Sequence, residues 1–199
     1  MREDGRGVAD RRTMLLEAAA RVIARRGVRG LRVEELAAEA GVSTALIYYH
    51  FKNRMGILRA TLEFINDRAD RYTGERDPDA PPLDARGELL ETLLLEFQDD
   101  LEVRENSTAW GELRACAVFE PDLQEDVAKS TLVWVQDVAE LLGHVHPQAG
   151  AAALAMSAER LTALVEGLSS RWLSGSLPLR HARDLVVGAV DAELARLAA

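Results

Sequence analysis

Cysteine is almost missing from this chain: Cys116 is the single one in 199 residues. One thiol excludes an internal disulfide framework and fits a reducing compartment. No apolar run approaches the roughly 20 residues that span a bilayer. The start Arg2-Glu3-Asp4-Gly5 lacks the apolar core of a signal peptide. The expected location is therefore cytoplasmic, with no membrane partner. No stretch shows the period-two alternation that marks a strand. Catalytic and metal-binding constellations are missing too. Glu140 and His144 stand four residues apart near an expected helix end, Cys116 has no histidine close in sequence, and no serine has an evident base. The expectation is no enzyme, no metal and no cofactor. Asn106-Ser107-Thr108 matches a glycosylation acceptor, but without a secretion signal it reads as a helix cap.

What is present is an ordinary globular composition, 48% hydrophobic and 29% charged, with net charge −9. The charge is unevenly placed. Residues 1–59 hold 12 Lys/Arg against 7 Asp/Glu, whereas residues 60–199 hold 12 against 26. A basic head on an acidic body suits a protein whose head meets phosphates. Residues 1–9 read as a disordered terminus, with Arg2 and Arg6 as the alternative of a minor-groove arm.

Helical periodicity starts at Asp10, with Leu15, Leu16, Ala19, Ala20 and Ile23 on one face, and Gly27 is placed to end the helix in the left-handed conformation. Val33, Leu36, Ala37 and Ala40 form the inner face of a short second helix. Gly41-Val42 makes a turn, Ser43 can cap the next helix, and that helix carries Tyr48, Tyr49 and His50. Phe51 plugs the core of this small bundle. Asn53 caps a fourth helix through Ile57, Leu58, Leu62 and Ile65. Helix, glycine turn, helix is the pattern of a helix-turn-helix, whose second helix enters the major groove.

Val42-Ser43, Ile47-Tyr48, His50-Phe51, Asn53-Arg54 and Ile57-Leu58 together resemble the DNA-binding signature of the TetR family of repressors. Ala19-Ala20, Gly27, Val33, Leu36-Ala37 and Ala40-Gly41 fit the same pattern, so the likeness covers about residues 12–62. Arg32 departs from it, standing where the family usually has a capping Thr. The resemblance implies that Thr44, Ala45 and Tyr49 face base edges or the sugar-phosphate wall. It also implies that Tyr48, His50 and Arg54 bond phosphates; from the residues themselves, Ser43 is the cap, Arg32 can reach a phosphate and Lys52 contributes charge. Helix three itself has no Arg, Asn or Gln for bidentate base contacts, so affinity should lean on phosphates and DNA shape.

Residues 73–86 hold three prolines and four acids and read as a loop into the body. Beyond it the apolar stripes Leu90–Leu101, Trp110–Ala117 and Val127–Val145 are all helical in period, the last apolar around much of its circumference as in a buried helix. Helix starts are expected after Pro121 and Pro147. The fold class is thus all-α. A helix-turn-helix domain over residues 1–64 is joined through helix four to a ligand-binding and dimerisation domain over residues 65–199.

Phe97, Trp110, Leu113, Trp134, Leu161 and Leu164 lie mid-helix where bundles form ligand pockets, with Glu112, Arg114 and Glu166 as orienting groups. The last two helices are long, apolar and rich in small residues. Leu168, Trp172, Val186, Val190 and Leu194 are expected to line a four-helix homodimer interface, which the TetR resemblance also implies. Leu161–Leu168, Glu120-Pro121-Asp122 and Trp134 are similar to the choline-responsive branch of that family. The expected partners are double-stranded operator DNA, a small-molecule effector of unknown identity and a second copy of the chain. The expected function is a ligand-responsive repressor. The alternative is a helical-bundle enzyme or carrier whose N-terminal module docks a protein.

Overall fold

The computed structural model describes residues 3–74 and 82–198, and among these the chain is built of helices without strands. The order is α1 (Glu3–Gly30), α2 (Val33–Ala40), α3 (Thr44–Phe51), α4 (Arg54–Gly74), α5 (Ala85–Leu94), α6 (Leu101–Ala117), α7 (Pro121–Val145), α8 (Ala151–Leu173) and α9 (Leu179–Leu197). The all-α class follows directly from the periodicity. Backbone helix begins at Glu3, earlier than Asp10, so the disordered terminus expected over residues 1–9 is helical from residue 3. Arg2 lies outside the described residues. So does residues 75–81, the centre of the expected loop; α5 restarts behind Asp84, whose carboxylate accepts from the Gly87 N–H at 2.7 Å.

Two compact units result. The first comprises Met1–Asp70 with Glu105–Ala128, the second Arg71–Arg104 with Lys129–Ala199. In the first, Leu15, Ile23, Leu36, Ile47, Ile57, Leu58 and Ile65 are fully buried, and Ala109, Leu113 and Leu123 from α6 and α7 belong to the same core. A fully buried Leu contributes about 1.5–3 kcal/mol, so residues 105–128 are structural parts of the helix-turn-helix unit. In the second, Leu89, Leu93 and Phe97 pack with Val138 and Leu142, with Leu161, Val165, Leu168 and Trp172 of α8, and with Ala182, Val186, Val190 and Leu194 of α9. Glu193 on α9 is buried and takes two hydrogen bonds from Arg160 on α8, at 2.8 and 2.7 Å.

Three local expectations are corrected. The stripe Leu90–Leu101 is not one helix: α5 ends at Leu94, and Asp100 starts α6 by accepting from the Glu102 and Val103 N–H groups. Leu101 is consequently 74% exposed. Asn106-Ser107-Thr108 is mid-α6, not a cap; Asn106 and Ser107 are buried, and Asn106 donates to the Ile65 carbonyl of α4. Val133 on α7 is half exposed, because only one side of that helix meets a core within the chain.

Candidate nucleic-acid interface

The α2–α3 corner is fixed by local chemistry. Gly41 adopts φ 66, ψ 34, and its N–H donates to Ala38 O while the Val42 N–H reaches Ala37 O at 3.0 Å. These two bonds make a Schellman ending, which consumes the last carbonyls of α2 and turns the chain. Ser43 then caps α3, its hydroxyl accepting from the Leu46 N–H at 3.4 Å. Ile47 and Phe51, one turn apart, anchor α3 in the core.

The opposite side of α3 has no such partner. Ser43, Thr44, Ala45 and Lys52 are exposed, His50 is half-buried, and Tyr48 and Tyr49 are 51% and 75% exposed. Exposing two tyrosines beside each other forgoes burial that aromatic rings normally seek. Tyr49 and His50 stack edge to face, with ring centroids 5.2 Å apart. The structure thus brings together on one surface seven of the nine residues expected at DNA: Ser43, Thr44, Ala45, Tyr48, Tyr49, His50 and Lys52.

The other two differ. Arg32 sits at the N-cap of α2 with an exposed side chain that makes no capping bond. Arg54 is half-buried and turned inward: its Nε donates to Leu31 O at 3.2 Å and its Nη2 to Val28 O at 2.8 Å. Its Nε and Nη2 are thereby committed to two backbone carbonyls, of which Val28 O also accepts from the Leu31 N–H at 3.1 Å.

The basic surplus of the head is also partly committed. Arg21 and Arg25 both hold Glu39, whose carboxyl the Arg21 and Arg25 hydrogen bonds keep below the usual range, and Arg26 pairs with Glu35. These pairs tie α1 to α2.

Lys52 was missed as a structural feature. It has φ 60, ψ −48, the single positive φ among described non-glycine residues. The Asn53 N–H bonds Phe51 O across it at 2.6 Å, which is the rarer, strained form of the γ-turn. Asn53 Oδ1 accepts from the Gly56 N–H, and a Cβ at Gly56 would stand 2.2 Å from Phe51 O. Such a turn has no residue signature, since lysine there is uncommon.

The residues expected to hold a ligand are divided between the units. In the second, Phe97 and Leu161 are fully buried core, with Trp134 and Leu164 packed on the same cluster and Glu166 half-buried. In the first, Leu113 is core, Trp110 donates its indole N–H to Asn66 Oδ1 at 2.9 Å, and Arg114 lies 4.9 Å over the Trp110 ring. Burial pushes the Arg114 guanidinium below its usual range. A shallow open hollow of about 290 Å³ is lined by His146, Pro147, Gln148, Ala149, Leu197 and Ala198, none of them expected ligand residues.

The expected dimer residues are also reassigned. Leu168, Trp172, Val186, Val190 and Leu194 are all buried within one chain, where they join α8 to α9 and α5. Apolar periodicity marked a buried face correctly but not which neighbour buries it. The outer face instead shows Met156, Ala163 and Gly167 on α8 and Leu185, Gly188 and Ala192 on α9.

Comparison with known proteins adds independent information. Residues 15–61 match the model for bacterial regulatory proteins of the tetR family, and residues 85–197 match the C-terminal model of BetI-type transcriptional repressors. A crystal structure described as a TetR-family transcriptional regulator from Rhodococcus sp. is 44% identical, with TM-score 0.81, over 94% of this chain and 99% of that one. A Saccharomonospora viridis transcriptional regulator in complex with choline shares the fold at TM-score 0.74 and 24% identity, over 92% and 96% of the two chains. The transcriptional repressor KstR2 of Rhodococcus jostii is 26% identical over 68% of this chain. The regulator TtgR of Pseudomonas putida is 30% identical over 47%. Those two matches span 61% and 45% of the relatives' own lengths.

Proposed function

The chain belongs to the TetR family of transcriptional regulators, and on that footing we propose that it is a cytoplasmic, homodimeric repressor released from a near-palindromic operator by a small-molecule effector. The observation that carries the DNA half is the exposed surface of α3, where Thr44, Ala45, Tyr48, Tyr49 and Lys52 stand on a helix anchored from behind by Ile47 and Phe51. Thr44 and Ala45 offer methyl groups to thymine, and Tyr48, His50, Lys52 and Arg32 serve phosphates. Arg54 acts from the rear, holding the turn that leads into α2.

The dimer reading rests on the outer face of α8 and α9. Gly167 and Gly188 lie inside helices, where glycine costs about 1 kcal/mol relative to alanine. An added Cβ at either would meet nothing within 4 Å. Intrachain packing therefore gives no reason for glycine there, whereas close approach of a second helix pair does.

The effector reading is supported by the BetI-type C-terminal match and by the choline complex of a fold relative. Phe97, Trp134, Leu161, Leu164 and Glu166 in one unit and Trp110, Leu113 and Arg114 in the other remain the proposed ligand residues. Asn106 Oδ1 and Ser107 Oγ, buried on α6 without hydrogen-bond partners, belong with the set of the first unit. An effector releases DNA only if it prefers the non-binding state, by a coupling of about 1–3 kcal/mol.

A mobility shift with the DNA flanking the protein's own gene tests the reading. Retarded wild-type complex, lost in Tyr49→Ala while melting is unchanged, supports it; equal retardation by both proteins removes α3 from the interface.

A further inference from the structure

The joint between α1 and α2 is held by a residue 84 positions away. At Gly27 the backbone takes φ 70, ψ 170, a region open essentially to glycine alone. This is not the left-handed helix ending expected from the sequence; it breaks the α1 hydrogen-bond ladder and frees the Val28 N–H. That N–H donates to Glu112 Oε2 of α6 at 3.0 Å. The same oxygen fills the space where a side chain would begin, since a Cβ at Gly27 would lie 2.8 Å from it.

The other side of the joint is held by α4. Val28 O accepts from Arg54 Nη2, and Leu31 O accepts from Arg54 Nε. Residues 28–31 are therefore gripped at one N–H and two carbonyls, with Val28 and Leu31 buried between. Arg32, which opens α2, adds no capping bond of its own. These three bonds fix the backbone from which α2, and α3 behind it, leave the joint, beside the α1–α2 ion pairs and the core packing of Leu36 and Ile47. Glu112 is exposed, with buried Leu113 beside it supplying the packing of that turn of α6. Its visible task is the bond to Val28.

We propose that Glu112 is a positioning residue for operator binding: it fixes the recognition helix relative to α6 and so sets the spacing of two heads across an operator. The proposal rests on the reading of the chain as an operator-binding dimer. Glu112 touches no DNA, so its loss should leave each head's own contacts intact. It should instead loosen the geometry that lets both heads engage at once.

The test uses the full-length protein and a palindromic duplex selected from a random-sequence DNA pool, alongside the same duplex with one half scrambled. For Glu112→Ala, binding to the intact palindrome is expected to weaken by about tenfold, as the looser joint lowers the effective concentration of the second head at its half-site. Binding to the half-scrambled duplex should stay within about twofold, and the salt slope, which counts phosphate contacts, should not change. Glu112→Gln keeps an acceptor oxygen and should recover most of the affinity. Amide exchange at Val28 should quicken in Glu112→Ala, a readout independent of DNA. Unchanged affinity for the palindrome, equal loss on both duplexes, or a Val28 amide indifferent to the substitution would each overturn the proposal and leave the DNA-binding reading standing. A wild-type protein that selects no DNA would sink that reading, whatever the Val28 exchange shows.

Discussion

Lys52→Gly should make the protein more stable and a weaker DNA binder. In the native turn Lys52 holds φ 60, ψ −48, a conformation costing an L residue on the order of 1–3 kcal/mol. Glycine removes that cost but adds about 0.5–1 kcal/mol of unfolded-chain entropy to be lost on folding. The difference favours glycine by about 1 kcal/mol, which in a chain of 199 residues raises Tm by about 2–4 °C. The lost charge acts oppositely on DNA. One phosphate contact per head, two per dimer, should reduce the slope of log K against log salt by about 2. Lys52→Ala separates the effects, since alanine keeps the strain and drops the charge; it should show the same slope change with no gain in Tm. Thermal unfolding by circular dichroism and DNA titration at four salt concentrations read both quantities. A Lys52→Gly protein that melts below wild type would refute the strain argument. An unchanged slope would remove Lys52 from the phosphate contacts.

Three further substitutions probe separate parts of the account. Gly56→Ala, which elsewhere in a helix interior would gain about 1 kcal/mol, should instead destabilise by about 2 kcal/mol or more, because the added Cβ meets a backbone oxygen at 2.2 Å; a rise in Tm would contradict the corner geometry. Glu193→Gln should lower Tm at neutral pH and flatten its acid dependence. In the folded wild type the Arg160 hydrogen bonds hold the Glu193 carboxyl below the usual range, so the stabilisation is complete above the unfolded glutamate value and is lost as pH falls below it. Equal acid profiles for the two proteins would show that the pair contributes nothing. Leu185→Lys, at a site 40% exposed on α9, should shift the protein from dimer to monomer in light scattering, and an unaltered mass would place the interface elsewhere.

The helix-turn-helix was legible because its determinants are local. Gly41, Ser43 and the Ile47–Phe51 pair act within a few residues of each other, so sequence spacing and structure report the same bonds. The backbone contacts of Arg54 were missed for the opposite reason. Its exposed-looking position in the pattern hid carbonyls at Val28 and Leu31 that only the folded chain brings within reach. The Asp99-Asp100 break carried a signal, an acid able to cap a helix, which the apolar stripe through Leu101 masked. The α8 and α9 residues show the limit of periodicity. Val186 and Val190 were correctly expected to be buried, yet their partners are in the same chain, and the exposed face of α8 and α9 carries glycine and alanine. Glu112 was legible only as a polar group beside the apolar stripes, expected to orient a ligand; its bond to the Val28 N–H had no sequence signal, because the partner is a backbone amide 84 positions away.

The central claim is that the exposed face of α3 binds operator DNA, and its most direct test is an anisotropy titration of wild type and Tyr49→Ala on the protein's own upstream duplex across salt concentrations. Arg32 and Lys52 supply two exposed cations per head and four per dimer, so wild-type affinity should fall with a log–log slope of about −4. Tyr49→Ala should lose affinity at every salt concentration with that slope preserved. A wild-type titration without salt dependence, or a Tyr49→Ala curve superimposed on wild type, would contradict the account.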